Sequence, residues 1–417
     1  MLFRSHQRVS FRKKLARFLF QAPATKFDVH GRVPCTDAHP MKILVVGAGP
    51  AGLYLAYLLK RQNPSVRLRI VEQNRADSTF GFGVVFSDRA LDFLRDDDRQ
   101  THALIVPAMQ TWRDLTIFHR GERIAIDGVG FAAIGRLHLL QLMQQRLAAV
   151  GVSPEFEQAV SDRAELDGYD LVVAADGANS FVRRGQEAAF GTRIDDMTNH
   201  FVWYGTTKRF ETLSQTFIAN AWGCFNAHHY RYSDAMSTFI VECDRATWQR
   251  AGFAGMDEAQ TRARCEAVFA QTLDGHALVV NKSLWRQFPK VSNQRWHVGN
   301  QVLVGDALRT AHFSIGSGTR LAFEDVIALA KALREHADVA HALAAYEAAR
   351  RPIVDKLATA ANASAQWYEQ FAAHMQLEPW ALAWSYIQRS GRVDVERLRS
   401  VSPRFVAGYE AWAGGRA

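Results

Sequence analysis

The stretch that decides the fold is residues 41–73, MKILVVGAGPAGLYLAYLLKRQNPSVRLRIVEQ. It begins with an apolar run over residues 43–46, which is typical of a buried strand. A glycine-rich turn follows and opens a run with helical spacing, which the pair Asn63-Pro64 ends. Residues 66–71 then read as a second strand. The pattern predicts a strand, a phosphate-binding turn, a helix and a second strand, the unit of a nucleotide-binding α/β fold.

Three glycines in the turn have separate physical roles. Gly47 allows the tight turn, Gly49 lets the backbone approach a pyrophosphate, and Gly52 lets the helix pack closely on the strand. The helix N-terminus supplies free N–H groups and partial positive charge to a phosphate. Glu72 follows about 20 residues later, where this fold places an acid on a ribose hydroxyl. The turn alone is compatible with NAD as well as with FAD.

Composition and charge limit the classes of function. The 417 residues are 48% hydrophobic and 22% charged, which suits two domains with a sizeable core. No uncharged run approaches the roughly 18 residues of a membrane span, so we expect a soluble, cytoplasmic protein without stable membrane insertion. The four cysteines show neither zinc-ligand spacing nor a disulfide framework, so we expect no metal site.

Most of the net charge of +8 lies in residues 1–40, which hold eight Lys or Arg and two Asp. The rest of the chain therefore gives little reason to expect a nucleic-acid partner. Three interpretations of this basic leader remain open: a transit-like peptide, a helix for a membrane surface or partner, and translation from an upstream start that the cell does not use. We favour the last and expect the leader not to be part of the fold.

The remaining chain indicates one domain interrupted by another. Residues 169–175 read as a buried strand that runs into Asp176-Gly177. From residue 192 to residue 285 the pattern changes to runs rich in aromatic and β-branched residues, which are typical of antiparallel strands. Residues 302–304 then return as a buried strand that ends in Gly305-Asp306. Helical patterns cover most of the chain that follows.

The domain boundaries follow from these changes of pattern. We predict a discontinuous nucleotide-binding domain over 41–190 and 286–345, an inserted sheet domain for the substrate over 191–285, and a C-terminal helical region over 346–417. Within them, residues 115–126 read as a β-hairpin and residues 257–272 as a helix.

Three stretches together resemble the single-component FAD-dependent aromatic hydroxylases, the para-hydroxybenzoate hydroxylase-like flavoproteins. They are VVGAGPAG at 45–52 with Glu72, YDLVVAADGANSFVRR at 169–184, and VLVGDALRTAHFSIGSGTR at 302–320. The resemblance implies an α/β fold in which a Rossmann-like FAD-binding domain carries an inserted, mainly antiparallel β-sheet substrate domain and a C-terminal helical region. It also implies FAD as cofactor, O₂ as co-substrate, and NADH or NADPH as an electron donor that docks transiently.

Further stretches resemble one branch of that family, which includes salicyloyl-CoA 5-hydroxylases, 2-aminobenzoyl-CoA monooxygenase and the violacein-pathway indole hydroxylase. The stretches are FVWYGT at 201–206, YSDAMSTFIVEC at 232–243, and a variant loop after Gly305-Asp306. The tail SYIQRSGRVDVERLR at 385–399 resembles the acyl-CoA members more. The branch implies hydroxylation of salicyloyl-CoA to gentisyl-CoA. Alternatives are 2-aminobenzoyl-CoA, a free aromatic or indole compound, a reductase or desaturase, and a flavin-binding protein without turnover.

The resemblance also implies cofactor-binding residues. Arg136 would reach the phosphate and ribityl region, Asp306 would bind the ribityl chain, and the loop ending at Gly318 would face the flavin pyrimidine edge. Asp176 belongs to a stretch associated with both FAD and the pyridine nucleotide. The full set is Gly47, Gly49, Pro50, Ala51, Gly52, Glu72, Gln73, Arg136, Asp176, Asp306, Gly316, Ser317, Gly318 and Thr319.

Candidate catalytic and substrate residues have competing interpretations. His312, in the flavin-facing loop, would hydrogen-bond the substrate or orient the activated oxygen, or else be satisfied by backbone. Arg309 and the tail arginines could meet coenzyme A phosphates or form a solvated basic face. Aromatic residues of the inserted strands could line the substrate pocket or be plain core; these are Trp203, Tyr204, Phe225, Tyr230 and Phe239.

Overall fold

The computed structural model describes residues 40–87 and 90–415. The predicted leader therefore lies outside the described residues, apart from residue 40. The strands are β1 Lys42–Val46, β2 Arg67–Glu72, β3 Gly83–Ser87, β4 Gln110–Trp112, β5 Leu115–His119, β6 Glu122–Ile126, β7 Phe131–Gly135, β8 Glu155–Phe156, β9 Leu171–Ala174, β10 Thr192–Thr206, β11 Leu213–Asn220, β12 Gly223–Arg231, β13 Ser237–Cys243, β14 Leu278–Val279, β15 Arg286–Asn293, β16 His297–Val298 and β17 Gln301–Leu303.

The α-helices lie between these strands and fill the C-terminal part of the described chain. They are α1 Pro50–Gln62, α2 Asp92–Asp97, α3 Arg99–Ile105, α4 Arg136–Ala148, α5 Phe181–Arg184, α6 Glu187–Phe190, α7 Arg245–Arg250, α8 Glu258–Val268, α9 Ala270–Leu273, α10 Gly318–Glu335, α11 Val339–Glu369, α12 Phe371–His374, α13 Pro379–Gln388, α14 Val395–Val401 and α15 Pro403–Gly414. Within the described ranges, none of these helices is long and apolar enough to cross a membrane.

The predicted strand–turn–helix–strand unit is confirmed as β1, α1 and β2. These strands belong to a sheet with the order β16-β17-β9-β1-β2-β8, in which every pair except β16–β17 is parallel. Parallel strands are buried on both faces, which explains the near-continuous apolar runs of β1 and β9. Since the carboxyl ends of parallel strands meet at one edge, the turns after β1, β9 and β17 come together there.

A larger sheet has the order β14-β10-β13-β12-β11-β5-β6, with β15 also paired to β10. One face packs its apolar side chains against α7, α8 and α9. The opposite face covers β3 and part of the C-terminal helical region. A smaller antiparallel sheet has the order β3-β7-β4, and the hairpin β5–β6 of the large sheet lies between its strands β4 and β7 along the chain.

The overall prediction is confirmed: the fold is α/β with an antiparallel sheet and a helical C-terminal region. The large sheet extends beyond residues 191–285, because the hairpin β5–β6 joins it through β11 and β15 joins it through β10. The proposed domain boundaries stay a prediction. The helix predicted over 257–272 is interrupted at Phe269, whose backbone leaves helical geometry between α8 and α9.

Candidate active site

The turn after β1 is shaped by close backbone packing. Gly47 has a φ of +101°, and an added Cβ there would collide with the carbonyl of Ala175 at the end of β9. An added Cβ at Gly52 would collide with the carbonyl oxygen of Gly47. Gly49 differs, because its φ is −72° and nothing lies within 4 Å of an added Cβ. The space beside Gly49 is therefore open for a ligand that approaches the backbone.

Helix α1 begins at this open side. Gly49 is its N-cap, and no side chain caps the helix, while Pro50 occupies the first position without an N–H. The first intrahelical bond runs from Leu53 N to Gly49 O, at 3.0 Å. The N–H groups of Ala51 and Gly52 therefore have no partner within the helix. Such a helix end favours a phosphate group.

Glu72 lies beside the same turn at the end of β2. Its Oε2 accepts a hydrogen bond from Ala48 N at 2.9 Å, and its Oε1 accepts from Asn74 N at 2.9 Å. Asn74 Nδ2 also donates to Oε1, at 2.6 Å. These bonds fix the carboxylate at the position where the sequence predicts a ribose contact, and Oε2 keeps a second lone pair. The neighbouring Gln73 is exposed.

Asp306 and Arg136 lie near enough to each other to interact electrostatically. The Asp306 side chain is accessible, yet surrounding protein raises its pKa by desolvation, while the guanidinium of Arg136 acts to lower that pKa. Desolvation likewise lowers the pKa of Arg136, and Asp306 opposes that shift. A group that is both accessible and desolvated lines a cavity rather than the outer surface. The pair thus presents one negative and one positive group, as the ribityl and phosphate parts of a flavin nucleotide require.

Asp176 caps a short helix and leaves one oxygen unused. Its Oδ2 accepts from Phe181 N at 2.7 Å. Its buried Oδ1 has no hydrogen-bond partner within the described residues. Burial raises the pKa of this carboxyl, and the backbone bonds act to lower it. An orphaned acceptor at this edge is consistent with a contact to a bound nucleotide.

The loop before α10 ends in a second open helix N-terminus. Gly316 has a φ of +56°, and an added Cβ would lie 3.0 Å from Val85 O, so the loop packs tightly on β3. Ser317 is the N-cap but donates its hydroxyl to Ile315 O at 3.1 Å, so no side chain caps the helix. An added Cβ at Gly318 would meet nothing within 4 Å. The first turn, with Gly318 and Thr319, is therefore free to face a ligand edge that carries negative charge.

His312 lies in the loop between β17 and α10 and is 5% exposed. Its Nδ1 accepts from Ser314 N at 3.4 Å, and its ring packs at 5.0 Å from Phe288 and 5.6 Å from Tyr368. Burial lowers the pKa of His312 to about 3, and the neighbouring His228 and Arg389 act in the same direction. The imidazole is thus neutral at physiological pH. Its chemical role stays a prediction.

The five predicted aromatic residues divide between the two faces of the large sheet. Tyr204, Phe225 and Phe239 pack with α7–α9 on the face away from the turns. Their packing favours the interpretation of these three as plain core, since alternate side chains of a strand point to opposite faces. A role in the substrate pocket stays a prediction. Trp203 contacts the loop at Gly81, and Tyr230 donates its hydroxyl to Gly83 O at 2.8 Å.

The predicted phosphate-binding arginines already have partners. Arg309 donates to the buried Asp325 at 2.5 Å, and its guanidinium lies 5.4 Å from the Trp296 ring. Arg389, in the tail, donates to Ser314 O at 2.9 Å and lies over the Tyr386 ring. Arg389 therefore ties the flavin-facing loop to the C-terminal helices. A coenzyme A contact for either residue stays a prediction.

A row of buried polar residues that sequence reasoning did not find lies on the sheet face that carries Trp203. Gln215 is paired in register with His228, and His228 with Ile240. Neither atom of the Gln215 amide and neither ring nitrogen of His228 has a partner within the described residues. An unsatisfied buried polar group costs about 1–3 kcal/mol. The strand period alone could have shown that these residues share a face, but not that this face covers the site.

Comparison with known proteins identifies the family. A family model described as an FAD binding domain matches residues 40–98 and 148–361. The chain belongs to this FAD-binding family. The flavoprotein is 41% identical over 361 residues to salicyloyl-CoA 5-hydroxylase of a Streptomyces species, covering 84% of this chain and 70% of that one. It is 35% identical over 360 residues to protodeoxyviolaceinate monooxygenase of Chromobacterium violaceum, covering 84% and 94%. It is an FAD-dependent aromatic monooxygenase.

Solved structures show the same fold for this flavoprotein. PqsL of Pseudomonas aeruginosa, in complex with 2-aminobenzoylacetate, is similar with a TM-score of 0.62 at 22% identity, covering 80% of this chain and 98% of that one. A 2-methyl-3-hydroxypyridine-5-carboxylic acid oxygenase is similar with a TM-score of 0.64 at 17% identity, covering 87% and 96%. At these identities the likeness concerns the fold alone.

The residues present fit FAD. Four features lie at the carboxyl edge of one sheet. They are two open helix N-termini, the open space that a Cβ at Gly49 would fill, the buried Asp176 oxygen without a hydrogen-bond partner in the described residues, and the Asp306–Arg136 pair. The assignment of individual contacts to these residues stays a prediction. Within residues 40–87 and 90–415, no group of three or more His, Cys, Asp or Glu side chains could hold a metal ion.

Proposed function

We propose that this flavoprotein hydroxylates an aromatic acyl-CoA, specifically salicyloyl-CoA at ring position 5 to give gentisyl-CoA, with NAD(P)H and O₂. The observation that carries the proposal is the 41% identity, over 84% of this chain, to a protein named salicyloyl-CoA 5-hydroxylase. A second relative, 37% identical over 328 residues and from Streptosporangium sibiricum, is named 3-hydroxy-4-methyl-anthranilyl-(aryl-carrier protein) 5-monooxygenase. Both names describe oxygenation at position 5 of an aromatic acyl group on a carrier.

A small cavity of about 40 Å³ lies beside His312. Its lining combines small and apolar side chains of α11 with the polar Thr310 and Asn362 and the exposed Lys290. An exposed ammonium group at Lys290 suits the phosphates at the far end of coenzyme A.

FAD, once bound and reduced by NAD(P)H, supplies the oxygen-activating chemistry. The chain itself positions the substrate and excludes water. The large sheet closes over the loop at Gly83 through Tyr230 and through Thr238 Oγ1, which accepts from Gly83 N at 2.9 Å. The neutral imidazole of His312 can donate or accept a hydrogen bond without carrying charge.

The test is a comparison of substrates with the FAD-loaded protein. NAD(P)H oxidation and hydroxylated product are measured with salicyloyl-CoA, 2-aminobenzoyl-CoA, salicylate, 2-aminobenzoate and an indole compound. We expect coupled product with salicyloyl-CoA and a much lower rate with salicylate. Product from a free acid or an indole compound alone would overturn the proposal for an acyl-CoA, while leaving the aromatic monooxygenase class intact.

A further inference from the structure

The most unusual feature of the large sheet is a pair of fully enclosed polar side chains without partners. Gln215 is 0% exposed and His228 is 4% exposed, and they lie opposite each other on β11 and β12. Both amide atoms of Gln215 and both ring nitrogens of His228 lack hydrogen-bond partners in the part of the chain that the structure describes. Buried polar groups are normally satisfied, so this pair calls for a ligand or ordered water.

The pair faces the cofactor side of the sheet. Directly paired residues share a face, and the row across the strands runs Trp203, Ile240, His228, Gln215 and Ile117. Trp203 at one end of this row contacts Gly81 in the loop before β3. His228 also lies within electrostatic reach of His312 and Arg389. The pair therefore lies on the side of the sheet that carries Trp203, and His228 lies near the flavin-facing loop.

The polar residues of this row offer a defined set of hydrogen-bond donors and acceptors. Burial lowers the pKa of His228 to about 3, so the ring is neutral and offers one donor and one acceptor. The amide of Gln215 offers a carbonyl acceptor and two N–H donors. Ile240 and Ile117 flank the two polar residues with apolar surface. An aromatic ring that carries neighbouring hydroxyl and carbonyl groups matches this arrangement.

We propose that Gln215 and His228 form the hydrogen-bonding site for the two neighbouring substituents of the aromatic substrate. His228 accepts a hydrogen bond from the hydroxyl ortho to the acyl group, and the Gln215 amide donates to the acyl carbonyl. The inference deepens the proposed function and rests on it. Because accepting a hydrogen bond from the hydroxyl raises electron density para to it, His228 also favours oxygenation at that position.

The experiment combines ligand pairs with matched variants. Salicyloyl-CoA and benzoyl-CoA, which lacks the hydroxyl, are titrated against FAD-loaded protein, and binding is followed by the change in the flavin absorbance spectrum. The variants are His228→Leu and Gln215→Leu. His229→Leu is the control, because His229 is also buried but lies on the opposite face, bonded to Thr216 Oγ1 at 2.9 Å and stacked on Phe239.

We expect wild-type protein to bind salicyloyl-CoA at least about tenfold more tightly than benzoyl-CoA, which is about 1.4 kcal/mol. We expect His228→Leu to remove this preference and Gln215→Leu to lower the binding affinity for both ligands by about tenfold. The melting temperature without substrate does not fall in either variant, because no hydrogen bond is lost. His229→Leu lowers the melting temperature and leaves the preference unchanged.

Two results would overturn the assignment. One is a full preference for salicyloyl-CoA in His228→Leu. The other is a lowered melting temperature in His228→Leu together with equal weakening of both ligands, which is the behaviour of a purely structural residue. If wild-type protein binds neither ester, the proposed substrate is wrong. The role of His228 is then tested separately. The binding comparison is repeated with the ortho-substituted substrate that the protein does hydroxylate and with its analogue that lacks the ortho substituent.

Discussion

Gly49→Ala separates cofactor binding from folding at the turn after β1. An added Cβ at Gly49 meets nothing within 4 Å, and the φ of −72° suits alanine. Alanine reduces the conformational freedom of the unfolded chain, which raises the free energy of unfolding by about 0.4–1 kcal/mol. Alanine is also a poorer helix N-cap than glycine, which lowers the free energy of unfolding by a similar amount. The net change in the free energy of unfolding of the apoprotein is thus within about 1 kcal/mol, and the melting temperature moves by no more than about 2–4 °C.

The new methyl group would instead occupy the space for the pyrophosphate of FAD. We expect FAD affinity to fall at least about tenfold, or about 1.4 kcal/mol. Apoprotein is prepared, its thermal unfolding is recorded, and FAD is titrated with flavin fluorescence as the readout. Gly47→Ala is the contrast, because its φ of +101° and its clash with Ala175 destabilise the apoprotein itself. Wild-type FAD affinity in Gly49→Ala would refute the placement of the pyrophosphate over this turn.

Four further predictions concern the Asp306–Arg136 pair, the flavin-facing loop, the sheet and the cavity. Asp306→Ala should purify with little bound FAD, measured from the visible spectrum; full flavin content and activity would remove Asp306 from the cofactor site. His312→Ala should keep FAD but form less product per NAD(P)H oxidised, and unchanged coupling would rule out a role in the reaction. Burial raises the pKa of Glu242 from 4.5 to about 8. Between these pH values the folded state retains a proton that the unfolded state releases. The free energy of unfolding therefore falls as pH rises through this range, by at most about 1.4 kcal/mol per pH unit. Glu242→Gln should flatten this dependence in denaturant unfolding, and an unaltered slope would contradict the assignment. Lys290→Glu should raise KM for salicyloyl-CoA several-fold but not for a thioester with a truncated carrier; an equal change for both would exclude a contact with the coenzyme A phosphates.

The nucleotide-binding unit was predictable because its signals are local. Gly47 and Gly52 are required by backbone contacts within the turn and with the end of β9, and the apolar period gives the strands directly. The second half of the site, around Asp306 and α10, was predicted from resemblance and not from spacing. The structure brings both halves to one edge of the parallel sheet.

The large sheet was less predictable from the sequence, because its faces depend on the pairing of strands that are far apart along the chain. Trp203 and Tyr204 are neighbours in sequence, yet they lie on opposite faces, and both faces of the sheet are covered. Gln215 and His228 read as ordinary polar positions of strands until the register of β11 and β12 brings them together. The parallel pairing of β5 with β11 likewise joins segments about 100 residues apart, which no local pattern indicates.

We propose that this flavoprotein inserts one atom of O₂ into the ring of an aromatic acyl-CoA. The most direct measurement is mass spectrometry of the acyl-CoA product formed from salicyloyl-CoA with NAD(P)H under isotopically labelled O₂. We predict one labelled oxygen atom in the aromatic acyl part of the product and none when NAD(P)H is omitted. Consumption of NAD(P)H with salicyloyl-CoA left unlabelled, or with a reduced and unlabelled product, would contradict the claim.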